Sequence, residues 1–178
     1  MKKSKIHIDF FSRTENLEEK VLTQDIIYVG GGNTKSMLAV WKEWNLHEIL
    51  RKAYEKGIVM SGVSAGAICW FEKGITDSYA EELAMINCLG FVKGIACPHF
   101  DEEKEREPYV NDVIKREIIK SCICIEGNCA LHIKNDYEYT SIDFGNGKNC
   151  YRIFKENNGL GKEVLKKKYI CILDFFIF

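Results

Sequence analysis

Two short apolar runs stop abruptly on glycine: Asp25-Ile26-Ile27-Tyr28-Val29 before Gly30-Gly31-Gly32, and Ile58-Val59-Met60 before Gly62-Val63-Ser64-Ala65-Gly66. Strands this apolar belong in a sheet that is covered on both faces, which favours parallel pairing with crossover helices. Each glycine cluster then falls at a strand's carboxyl end, where folds of this kind hold their ligands. A third run, Gly94-Ile95-Ala96-Cys97, ends in the same way on Pro98-His99-Phe100.

Helical spacing fills the intervals. Met37, Leu38, Trp41, Trp44, Ile49, Leu50 and Ala53 predict one long helix stopped by Gly57. A second helix is expected after Gly66. Val110, Val113, Ile114, Ile118 and Ile119 predict a third over 108–120, with Pro108 at its start. Ile6, Ile8 and Phe10 alternate as a strand, and residues 16–22 suit a short helix. From Cys122 to Phe154 the segments ICIEG, ALHIK, YEYTSI and YRIF predict short strands that extend the sheet in antiparallel fashion. The expectation is a single α/β domain over 1–178 with a mainly parallel sheet.

Charge and cysteine content exclude several classes. Twenty-five basic residues against 26 acidic leave no polybasic field for nucleic acid or an anionic membrane. The basic start, MKKSKIHIDFFSR, has no long apolar run, and YICILDFFIF is far shorter than the roughly 20 residues of a spanning helix. Eight cysteines (69, 88, 97, 122, 124, 129, 150 and 171) form no CxxC pair, so a zinc ribbon or thioredoxin-type site is not supported. A cytoplasmic protein with reduced thiols is expected, without metal or cofactor.

Gly62-Val63-Ser64-Ala65-Gly66 fits G-x-S-x-G, the tight strand-to-helix turn that lifts a serine oxygen out of a sheet. The Ala65 amide, at a helix start, would face a developing oxyanion. Such a short pattern also arises in glycine-rich turns with an incidental serine. Gly30-Gly31-Gly32-Asn33-Thr34 is not a phosphate loop, because Thr34 rather than glycine precedes Lys35. Its bare amides suit close approach to a substrate, with Gly32 as second oxyanion donor and Asn33 or Thr34 capping the next helix. His99, 35 residues beyond Ser64, is the strongest base candidate among four histidines. His7 and His132 sit in strands, and His47 on the long helix. For the acid that orients His99, Glu126 at a strand end is preferred, with Asp77 and Asp101 competing. The acidic run from Asp101 to Glu107 otherwise suits a solvated helix start.

In chain order YVGGGNT, GVSAGAICWF, TDS and CPHFDEEKER resemble the peptidase E group of serine peptidases, family S51, over about residues 25–133. The resemblance implies a class I glutamine-amidotransferase-like (flavodoxin-like) three-layer sandwich and a serine–histidine–acid site without metal. Ser64 becomes nucleophile, His99 base, and Gly32 and Ala65 the oxyanion amides; Glu126 and Asp77 share the claim to be the acid. The order Ser–His–acid differs from the Ser–acid–His order of α/β-hydrolases. The implied activity is hydrolysis of short peptides, notably dipeptides with N-terminal Asp, by a monomer or homodimer. Arg106 is a candidate partner for an aspartyl side chain. An esterase using the same site, or an inactive homologue that binds peptides, is the alternative. Relatives usually carry a further strand and helix before this segment, and ILDFFIF is unlike their usual ending; a truncated or shifted frame would give both.

Overall fold

The computed structural model describes residues 16–79, 82–135, 137–157 and 159–169. The strand expected at Ile6–Phe10, His7, Cys171 and the ILDFFIF ending lie outside the described residues. Helix α1 (Leu17–Leu22) leads into β1 (Ile26–Val29), then α2 (Thr34–Glu43), α3 (Leu46–Glu55) and β2 (Val59–Gly62). The short α4 (Ala65–Ile68) is followed by β3 (Phe71–Tyr79), β4 (Glu82–Asn87), β5 (Val92–Cys97) and α5 (Arg106–Lys115). Six strands complete the described order: β6 (Ser121–Ile125), β7 (Cys129–Lys134), β8 (Glu138–Asp143), β9 (Cys150–Glu156), β10 (Gly159–Val164) and β11 (Lys167–Tyr169).

The chain is α/β, but its sheets are mixed rather than mainly parallel. A six-stranded sheet runs β10-β9-β6-β5-β3-β4, with parallel pairing only within β3-β5-β6. The hairpin β3–β4 and the strands β9 and β10 close its two sides with antiparallel ladders. β1 and β2 pair in parallel as a separate ribbon, Val29 opposite Gly62, and β11-β8-β7 form a third sheet. Among the described residues the ribbon is covered on one face: Ile27, Val29 and Met60 pack on the core, while Tyr28 is 67% and Val59 54% exposed.

Three helix expectations are corrected. The long helix divides because Asn45 takes a left-handed backbone, φ 56°, which interrupts the hydrogen-bond ladder between α2 and α3. The helix after Gly66 lasts a single turn, since the chain re-enters a sheet at Phe71; Gly74 lets β3 lie directly on Ile68, whose Cδ1 would be 2.6 Å from an added Cβ. The third helix ends at Lys115, where Glu117 turns left-handed at φ 59°, leaving Ile118 exposed and Ile119 buried beyond it.

Burial follows the layers. Leu46, Ile49, Leu50 and Ala53 of α3 meet Trp41, Trp70 and Phe91 in one cluster; Tyr54, Phe91 and Trp70 stack in series, with centroids 4.9 and 5.7 Å apart. Val110, Val113 and Ile114 of α5 cover Ile75, Cys97, Cys122 and Ile153 on the six-stranded sheet. Each fully buried aliphatic side chain contributes about 1.5–3 kcal/mol. These two clusters hold the strand ends that carry the candidate chemistry.

Candidate active site

Ser64 follows β2 with φ 55° and ψ −118°, a geometry that an L-residue adopts only at a cost of about 1–3 kcal/mol. Two glycines make the turn sterically possible. A Cβ on Gly62 would stand 2.2 Å from the Gly66 carbonyl oxygen, and one on Gly66 would stand 2.1 Å from that of Val29. Gly31 brings the first loop alongside, 3.3 Å from the serine Cβ by the same construction. Ser64 is half-buried, and among the described residues its Oγ has no hydrogen-bond partner. Ala65 occupies the first position of α4, so its amide has no partner within the helix. The amide of Gly32, where φ is 146°, lies outside the regular elements. Gly31, Ser64 and Ala65 thus form one cluster, with Gly32 next to Gly31 in the same loop.

The expected cap at the glycine loop is Asn33, whose Oδ1 accepts from the Ser36 amide at 2.9 Å. Thr34 has a different task. Its amide donates to Ser78 Oγ at 2.8 Å, and Thr76 Oγ1 lies 2.8 Å from Ser78 Oγ and donates to Thr34 Oγ1 at 3.3 Å. Thr34 and Thr76 are 1% and 3% exposed, so this hydroxyl chain ties the glycine loop to β3 in a dry setting. The TDS motif therefore anchors the loop through its threonine and serine. Thr76→Val is expected to cost about 1–3 kcal/mol by leaving Thr34 and Ser78 without a shared partner, which denaturant unfolding would measure.

His99 follows β5, also left-handed, with φ 52°. Its Nδ1 stands 2.6 Å from Glu102 Oε2, on the same turn, and its ring is 30% exposed. The carboxylate that reaches His99 is thus Glu102. Glu126 does sit at the carboxyl end of β6, but its Oε2 accepts from the Asn149 amide at 2.7 Å. Asp77 is exposed on β3 and lines an open cleft of about 610 Å³ with Glu82, Leu83, Glu103, Glu105 and Tyr109. Asp101 accepts from the Gly127 amide at 2.7 Å and pairs with Lys148. Burial opposes ionisation of Asp101, but Lys148 and the Gly127 amide hold its carboxyl below the ordinary carboxylate range.

Arg106 is not free for a substrate. It is 2% exposed, donates from Nε and Nη2 to Glu103 at 2.7 Å and from Nη1 to the Ile75 carbonyl at 3.1 Å, and so fastens α5 to β3. His47 contacts the Trp41 carbonyl, and His132 lies exposed on β7. The structure forms two groups, the serine cluster and the His99–Glu102 turn; among the described residues no hydrogen bond joins Ser64 to His99. Bonds between nucleophile and base are often long in substrate-free sites and tighten when substrate binds. No group of His, Cys, Asp and Glu suited to a metal occurs among the described residues.

Comparison with known proteins bears on what these groups are for. A protein of Bacillus subtilis (strain 168) named "Uncharacterized peptidase YgaJ" is 40% identical over 165 residues, which cover 92% of this chain and 71% of that protein. The family model described as peptidase family S51 matches residues 2–139, a stretch containing both glycine loops, Ser64 and His99. On that match the chain belongs to peptidase family S51.

Proposed function

We propose that the chain is a serine-type peptidase acting on short peptides through an acyl-enzyme on Ser64. The observation that carries this reading is the strained, unpartnered Ser64, at the start of α4 and alongside Gly31 of the glycine loop. In the reaction, Ser64 Oγ attacks the scissile carbonyl and His99 Nε2 takes its proton. The amides of Gly32 and Ala65 receive the oxyanion, and His99 returns the proton to the leaving amine. Water, deprotonated by the same histidine, then releases the acyl group. Glu102 holds the His99 tautomer and offsets the imidazolium charge. No residue requires a metal or cofactor in these steps.

Glu102→Gln is expected to lower kcat by about 10²–10⁴-fold with KM little changed, and Glu102→Asp to recover part of the loss. Steady-state kinetics on a cleaved dipeptide measures both; an unchanged kcat in Glu102→Gln would return the acid's role to Glu126 or Asp77.

Family membership supports peptide rather than ester substrates, and the resemblance to the peptidase E group supports dipeptides with N-terminal Asp. The three-layer, glutamine-amidotransferase-like arrangement is proposed on the same ground. So is action in a reducing cytoplasm, which the free thiols of the described cysteines suit. A panel of Asp-X, Glu-X and Ala-X dipeptides beside p-nitrophenyl acetate tests the substrate. Asp-X should show the highest kcat/KM. Turnover of the ester with every dipeptide left intact would favour the esterase, and turnover of neither the peptide-binding homologue.

A further inference from the structure

Cys129 and Cys150 have no part in the proposed chemistry, yet their sulphurs lie 3.6 Å apart. Cys129 opens β7 and is half-buried, while Cys150 opens β9 and is fully buried. Both are free thiols. Cys97, Cys122 and Cys124 are buried as well; their thiols face backbone carbonyls, and those of Cys122 and Cys124, two apart on β6, also interact. In the pair, the Cys129 thiol also donates to the Glu126 carbonyl at 3.2 Å, and Ser141 Oγ accepts from the Cys150 amide at 2.9 Å. A disulfide needs about 2.05 Å between sulphurs, so closing the pair draws them together by about 1.5 Å.

The pair brackets a turn that matters. Residues 126–128 connect β6 to Cys129, and Gly127 lies under the catalytic turn: its amide binds Asp101, and the Glu102 carboxylate occupies the space a Gly127 side chain would need. The Phe100 amide also donates to the Ile125 carbonyl at 3.0 Å. Movement of this turn is therefore transmitted to the carboxylate that holds His99.

We propose that Cys129 and Cys150 form a reversible thiol–disulfide site, oxidised by small-molecule disulfides, that tethers the 126–128 turn to β9. The less buried member, Cys129, reacts first. Cys129 thiolate attacks one sulphur of the small disulfide, whose S–S bond breaks and whose other half leaves as a thiolate and takes up a proton. Cys150 thiolate then attacks Cys129 Sγ, forming the internal bond and releasing the second half as thiol. Two protein thiols are oxidised and one small disulfide is reduced to two thiols. In the free pair the Cys129 thiol lowers the Cys150 pKa most, burial opposes this and the Ser141 hydroxyl adds to it; the same contact and burial raise the Cys129 pKa, so exposure rather than acidity puts Cys129 first.

Oxidised glutathione is the probe. The native full-length chain is incubated with it, free thiols are blocked with iodoacetamide, and the digest is mapped by mass spectrometry. A Cys129–Cys150 linked peptide, removed by dithiothreitol, is the expected product. Cys150→Ser should instead retain glutathione on Cys129. Should that buried substitution prevent folding, Cys129→Ser provides the second variant, with no link and no adduct on Cys150. Separate alkylation of both cysteines under excess oxidant, or linkage between other cysteines, would overturn the proposal. The effect on activity rests on the peptidase reading: oxidation should lower kcat/KM roughly tenfold or more, as misplacement of a catalytic group by about 1 Å can. Because the link is read by mass, its absence overturns the site even in an active peptidase, and its presence upholds the site even in a chain that cleaves nothing.

Discussion

Ser64→Ala is expected to lower peptide hydrolysis by about 10⁴–10⁶-fold, to the level that binding and the oxyanion amides sustain without a nucleophile. The same substitution should leave folding intact, because Ser64 Oγ has no hydrogen-bond partner among the described residues and is half-buried. Ser64→Gly separates function from strain. Glycine accepts φ 55° and ψ −118° without a side-chain penalty, so this variant should be inactive and yet more stable than the wild type by about 1 kcal/mol. Thermal unfolding beside dipeptide turnover checks both. A serine that merely decorates a turn would give the stability gain with activity retained.

The second large effect concerns the glycines around that serine. Gly66→Ala should destabilise the fold by more than about 3 kcal/mol, because the new methyl would stand 2.1 Å from the Val29 carbonyl oxygen, and neither backbone has a rotamer with which to yield. Gly62→Ala meets the Gly66 carbonyl at 2.2 Å and should behave alike. Gly30→Ala is the internal comparison. Nothing lies within 4 Å of its added Cβ and its backbone is not left-handed, so the change should fall within about 0.5 kcal/mol. Denaturant midpoints and soluble yield measure the series. Equal tolerance at all three positions would mean that β1 and β2 do not approach as closely as the ribbon requires.

These residues show what a sequence of this kind makes legible. A glycine run after an apolar strand marks where a backbone must turn and where another chain segment comes close, and Gly31, Gly62 and Gly66 do both. Pairing partners are another matter. Period and apolarity in Ile26–Val29 and Val59–Met60 identify strands but not the sheet they join, so the separate β1–β2 ribbon had no local signature, whereas the hairpin-like segments after Cys122 did announce the antiparallel side formed by β9 and β10. The apolar run after Gly66 suits a helix or a strand equally, and the chain uses both in succession.

The carboxylate beside His99 was hidden for a related reason. Glu126 lies at the expected strand end, but its carboxylate goes to the Asn149 amide, just before β9. Glu102 sits in an acidic run that resembles any solvated helix start. Its spacing from His99 was the available signal, since residues three apart on a tight turn face one another, and here the left-handed His99 closes the distance to 2.6 Å. Arg106 shows the converse: a charged residue that suits a substrate contact is buried against Glu103 and Ile75.

The central claim is that Ser64 is a nucleophile activated by its fold. It is tested most directly by treating the native full-length chain with a fluorophosphonate and mapping the adduct by mass spectrometry. The account predicts one adduct, on Ser64 Oγ with fluoride displaced, absent from Ser64→Ala and from heat-denatured protein. No adduct on the folded chain, or an adduct on another residue, would contradict it.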